Sequence, residues 1–94
     1  QEGYTKFSIY LLRADAYIGI KEYQLALDDV NTAIKKNSIS IQMYNLKAKA
    51  YLGLGNYDEA EKAIDIAIKL YPEFDEYLET KEEIDKAILN KKKK

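Results

Sequence analysis

The sequence predicts an all-α protein built as a stack of antiparallel helix pairs with five helices in total. Three observations carry that prediction. Residues 44–57, YNLKAKAYLGLGNY, repeat residues 10–23, YLLRADAYIGIKEY, thirty-four positions later, and a fixed period of this length marks a stacked repeat. Within each copy the apolar and small residues fall at helical spacing. The second copy carries the helix stops Gly55 and Pro72, and the break at Gly55-Asn56 matches the one at Ile20-Lys21-Glu22 in the first copy.

Taken in order, Tyr10, Ala14 and Tyr17 lie on one stripe of a first helix, which breaks at Ile20-Lys21-Glu22. Tyr23, Ala26, Leu27, Val30, Ala33 and Ile34 then form the stripe of a second helix. The third helix repeats the first through Tyr44, Ala48 and Tyr51, and it ends at Gly55, a residue suited to the left-handed conformation that closes helices. Asn56, followed three positions on by Glu59, predicts a capping box for the fourth helix, whose stripe is Ala60, Ile64 and Ala67. Pro72 stops that helix, since proline disfavours helical geometry in the residue before it. After it, FDEYLETKEEIDKAIL places Phe74, Tyr77, Leu78, Ile84 and Ile88 on the stripe of a fifth helix.

The expected organisation is a single domain, 1–94, with repeats at 6–39 and 40–73, a capping helix at 74–90 and a basic tail at 91–94. Gln1-Glu2-Gly3 reads as the last turn of an upstream helix and its exit. On that reading the chain is an excised piece, and further repeats or a partner cover the bare outer face of the first helix, with self-association through that N-terminal face as one expectation.

Composition narrows the function classes. The chain has no cysteine and no histidine, which removes disulfide frameworks, thiolate metal sites and the commonest general base. Lys91 to Lys94 carry four of the positive charges in a chain of net charge −1, so the remaining body carries −5 and a nucleic-acid face is not expected. Asp28-Asp29 and Glu82-Glu83 do not predict a metal site, because adjacent helical residues point about 100° apart. No apolar run approaches the roughly 18 residues of a membrane span, and a cytoplasmic location is the default expectation. Neither a cofactor nor catalysis is expected from this inventory.

The repeated residues identify a family resemblance. Tyr10, Ala14 and Tyr17, then Tyr44, Ala48 and Tyr51, resemble the large, small and aromatic positions of the first helix of a tetratricopeptide repeat. Ala26 and Ala33, then Ala60 and Ala67, with Val30, Ile64 and Pro72, resemble its second helix and closing proline. Ser38, Lys21, Ala14 and Ala48 depart from the family pattern without opposing the fold. The resemblance covers about residues 6–90 and implies a right-handed superhelical stack whose first helices line a concave groove.

It also implies a protein-interaction module that holds a peptide or helix of a partner in that groove. The positions implied to line it are Ser8, Leu11, Leu12 and Asp15, then Gln42, Asn45, Leu46 and Lys49, then Glu76, Glu79, Thr80 and Glu83. Leu11, Leu12 and Leu46 would give an apolar floor, the three glutamates an acidic end, and Asp15 and Lys49 a charge pair between layers. The ligand expected is a peptide with apolar anchors and a basic residue. A structural scaffold that stacks on neighbouring repeats is the alternative. A co-chaperone adaptor is disfavoured, because the carboxylate clamp of that subclass places asparagine, lysine and arginine where this chain has Leu12, Gln42 and Leu46.

Overall fold

The computed structural model describes residues 9–36 and 42–93. Five helices run α1 Ile9–Gly19, α2 Tyr23–Lys35, α3 Met43–Leu54, α4 Tyr57–Leu70 and α5 Asp75–Lys92. Each helix packs on the next in sequence, and α1 touches α3 as α3 touches α5. Connections as short as Gly55-Asn56 leave a packed pair no choice but to run antiparallel. No such contact joins α2 to α4 among the described residues. The helices therefore form a stack of pairs in which α1, α3 and α5 sit side by side.

The turn after α1 repeats the turn after α3, bond for bond. Asn56 N–H donates to Tyr51 O at 2.9 Å and Gly55 N–H to Leu52 O at 3.0 Å, the paired bonds of a Schellman closure, with Gly55 left-handed at φ 81°. Thirty-four residues earlier, Glu22 N–H donates to Tyr17 O at 2.8 Å and Lys21 N–H to Ile18 O at 3.0 Å. Lys21 is forced to φ 66° there, the left-handed region where a Cβ crowds the carbonyl. The repeat thus imposes glycine geometry on a lysine. The capping box predicted at Asn56 does not form: Asn56 is the N-cap of α4, but its side chain caps nothing, and only its carbonyl takes a bond, from Ala60 N–H at 3.1 Å.

α4 ends at Leu70, just ahead of Pro72, and the rings of Tyr71, Phe74 and Tyr77 stack in succession at 5.9 and 5.3 Å to carry the chain into α5. Asp75 and Glu76 open α5 and Lys91 and Lys92 lie in its last turn, each charge favourable to the helix dipole. That complementarity explains why α5 runs through Lys92, past the 74–90 span expected for it. Leu78, expected on the buried stripe, is 49% exposed; Thr80 is buried in that stripe with Tyr77 and Ile84. Thr80 reaches its place by donating its hydroxyl to Glu76 O at 3.1 Å.

Two core clusters alternate with the repeats. In the first, Ala26, Val30 and Ala33 of α2 meet Met43, Leu46 and Ala50 of α3. In the second, Ala60, Ile64 and Ala67 of α4 meet Tyr77 and Ile84 of α5. Cutting Ile64, which is fully buried, to alanine removes about 2–5 kcal/mol, a large part of the roughly 5–14 kcal/mol available to a chain of this size.

Charged side chains reinforce the pairs from outside. Arg13 of α1 holds the largely buried Asp29 of α2 through two bonds of 2.8 Å, with Tyr10 and Tyr17 flanking its guanidinium at 6.0 and 5.9 Å. Asp28, its neighbour, accepts instead from Gln24 at 3.0 Å. Lys81 of α5 reaches Asp65 at 2.9 Å and Glu61 at 3.4 Å, both on α4. The bond to Asp65 raises the Lys81 pKa, and burial raises that of the Tyr77 phenol.

Two outcomes follow from this geometry. Lys21→Gly relieves the left-handed lysine and raises the stability by roughly 0.5–1 kcal/mol, whereas Gly55→Ala lowers it by about 1 kcal/mol, both read from urea midpoints at constant m. Both raised groups, Tyr77 and Lys81, favour their protonated forms in the folded chain. Their contribution is whole below the unfolded values near 10 and is lost as pH rises through the folded ones. Urea midpoints should stay level from pH 7 to 9 and fall above about 10, with a shallower alkaline fall in Tyr77→Phe.

Candidate functional site

The side-by-side arrangement of the first helices brings polar residues of α3 and α5 together. At the junction of α3 and α5, the Glu76 carboxylate accepts from Asn45 Nδ2 at 3.2 Å, from Lys49 Nζ at 3.4 Å and from Gln42 Nε2 at 3.5 Å. Glu76 sits in the first turn of α5, where a carboxylate also suits the helix dipole. It acts as a staple between the two helices. Asn45 is fully buried, and its Oδ1 has no hydrogen-bond partner. An orphaned buried acceptor costs about 1–3 kcal/mol, so the amide is held here by the bond its nitrogen makes to Glu76.

Ser8 lies outside the described residues, and the others expected to line a groove divide into three groups. Leu11, Asn45 and Leu46 are buried between helices, Leu11 and Leu46 within the first core cluster. Gln42 and Lys49 are half-buried around Glu76, and Lys49 pairs with that carboxylate in place of the expected Asp15. Leu12, Asp15, Glu79 and Glu83 are exposed. Of the expected apolar floor, only Leu12 meets solvent, and it lies on the stripe of α1 that matches Met43 and Leu46 of α3.

Sequence reasoning missed the register of the cations. Arg13, Lys47 and Lys81 are thirty-four residues apart. The first and last of them turn away from the row of first helices to pair with carboxylates on α2 and α4. With Lys49 engaged by Glu76, the carboxylates of Asp15, Glu79 and Glu83 stay exposed on α1 and α5. The signal was present in the sequence as a basic residue one position before the small Ala14 and Ala48. Its partners became visible only when the helices were packed. The described residues hold no cluster of three or more metal-ligating side chains, and no helix among them is long and apolar enough to cross a membrane.

No curated protein matches the chain. Residues 42–74, which span α3, α4 and the Tyr71–Phe74 turn, match the family model of the tetratricopeptide repeat. The same turn recurs between α1 and α2 thirty-four residues earlier, and α5 packs on α3 and α4 as a further first helix. The five-helix stack is consistent with the helical stack of tetratricopeptide repeats, and the match itself spans residues 42–74, one repeat of a family that generally mediates protein–protein interaction.

Proposed function

We propose that the face formed by α1, α3 and α5 binds a segment of a partner protein that carries basic side chains beside apolar anchors. The observation that supports this most is the sorting of charge: Arg13 and Lys81 face carboxylates of the second helices and Lys49 faces Glu76, while Asp15, Glu79 and Glu83 remain exposed. Carboxylates left open on a shared face attract cations and gain from charge-assisted hydrogen bonds with arginine or lysine. Leu12, 61% exposed and three positions before Asp15 on α1, offers an apolar contact near that carboxylate. The role is that of an adaptor: recognition, with no reaction assigned to it.

Affinity for a short peptide should be roughly micromolar, because ordering it opposes a small contact area. Titration of the chain with peptides pairing leucine and arginine residues tests the proposal. Replacing Glu79→Lys and Glu83→Lys together should weaken binding about tenfold or more at low salt, where exposed pairs are least screened, and raising the salt should weaken the unmodified chain in the same direction. Equal affinity for both chains at low salt would remove the acidic face from the site.

An acidic ligand provides the opposite test. A peptide ending in Glu-Glu-Val-Asp should show no binding up to millimolar concentration by calorimetry at low salt, because Leu46 is buried, Gln42 already meets Glu76, and Glu79 and Glu83 repel the tail. Micromolar binding of that peptide, lost on amidating its terminal carboxylate, would replace this reading with a co-chaperone adaptor.

A further inference from the structure

The ends of the first helices meet along one edge of the stack. The Tyr23 ring, at the start of α2, lies against Gly53 near the end of α3, and Lys91, near the end of α5, sits 5.7 Å from the centroid of the Tyr57 ring at the start of α4. Ile20 directly follows α1, Leu54 closes α3 and Leu89 begins the last turn of α5. All three are exposed at this edge, by 67%, 43% and 54%. Ile20 and Leu54 are one period apart, and Leu89 stands one position past the next equivalent, Ile88, which packs on the second core cluster. Packed helices lie about 8–10 Å apart, so the three side chains form a row of roughly 20 Å.

The turns at this edge close through the backbone. Lys21 and Glu22, like Gly55 and Asn56, donate their N–H groups to carbonyls of the helix just ended, so neither turn calls for an apolar side chain at Ile20 or Leu54. Lysines flank the row at both ends: exposed Lys21 follows Ile20, and exposed Lys91, Lys92 and Lys93 follow Leu89. Glu22, Asp58 and Glu59 share the edge, but Glu22 is the N-cap of α2 and the other two lie in the first turn of α4, where the helix dipole offsets part of their charge. α5 itself runs from acid to base, with Asp75 and Glu76 in its first turn and Lys91 and Lys92 in its last. An anionic surface attracts this edge and repels the other end of α5.

We propose that this edge rests on an anionic lipid surface, with Ile20, Leu54 and Leu89 entering the boundary between headgroups and acyl chains and the lysines lying among the phosphates. Adsorption of this kind draws on apolar burial and on charge together. Apolar side chains spaced by whole helices, with polar turns between them, offer a folded partner no contiguous patch to bury, whereas a fluid surface takes each one separately. The cations flanking the row are all lysines, compact point charges that suit the diffuse field of headgroups, where fixed bidentate recognition of a phosphate favours arginine. A nucleic acid fits less well, because the Tyr23 ring is occupied by Gly53 and the Tyr57 ring by Lys91, which leaves neither open for stacking on a base. This contact is independent of the acidic face, since it uses none of Asp15, Glu79 and Glu83.

Vesicles supply the test. The 94-residue chain should co-sediment at low salt with vesicles of equal parts phosphatidylserine and phosphatidylcholine, and stay in solution with phosphatidylcholine alone. Each lysine near an anionic surface contributes about a fivefold gain in partition, so Lys91→Gln, Lys92→Gln and Lys93→Gln together should weaken binding about a hundredfold. Because the chain has no cysteine, a single introduced one can carry an environment-sensitive dye. At Leu54→Cys the dye should shift to the blue on the anionic vesicles, and at Leu70→Cys, exposed at the far end of α4, it should not. Equal shifts at the two positions, or none at Leu54→Cys, would remove this edge from the contact. No binding to the anionic vesicles would overturn the proposal, and equal affinity for an RNA oligonucleotide or a polyglutamate peptide would replace it with a general anion-binding patch.

Discussion

No helix pair in this chain completes a core of its own. The stripe on α2 is closed by α3, and the stripe on α4 is closed by α5, so each layer depends on the first helix of the next. What permits the closure is alanine. Ala14, Ala26, Ala33, Ala48, Ala60 and Ala67 are all essentially fully buried, and their small side chains let backbones approach within reach of the bulky Val30, Ile64 and Ile84 between them. A larger residue at any of these points overpacks the layer at a cost of about 1–3 kcal/mol. With so little total stability, the repetition of the phrase along the chain is a packing requirement.

The same constraint sorts the charges. A first helix shows one side to the preceding pair, one to its own second helix and one to solvent, and a long cation near the second boundary can reach a carboxylate there. Arg13 and Lys81 do so, and their bonds to Asp29 and Asp65 raise both cations above their ordinary pKa values. Drawing these cations toward the second helices leaves the row of first helices richer in carboxylate than a tally of residues suggests. Glu76 is the exception, because it is held by Asn45 and Lys49 of α3 and by Gln42 at the N-cap of that helix. Its bond to Asn45 places a polar group inside the stack, and a buried amide with one orphaned oxygen tolerates few alternative registers of α5 on α3.

Stacking also gives the molecule two unlike ends. At α5 the positions that would receive another second helix are Leu78, Glu82 and Asp85, and their exposure costs little because two of them are charged. At α1 the positions one period before Met43 and Leu46 are the apolar Ile9 and Leu12, both exposed.

The period, the five helices, the stops at Gly55 and Pro72 and the alanine-bearing stripes were legible in the sequence, because each rests on spacing or on the conformational limits of single residues. Of the candidate site, the exposed acidic residues Glu79 and Glu83 were legible too, as charged positions on a helix beyond the last complete repeat. Tertiary structure alone decided the burial of Leu11, Asn45 and Leu46, the turn of Lys49 from Asp15 to Glu76, the exposure of Leu78 and the burial of Thr80. Each depends on where a neighbouring helix lies to within a few ångströms, and helical spacing names a face without saying what stands opposite. Lys21 marks the boundary between the two: its sequence argues against a left-handed turn, and the packing of α1 on α2 places it in one.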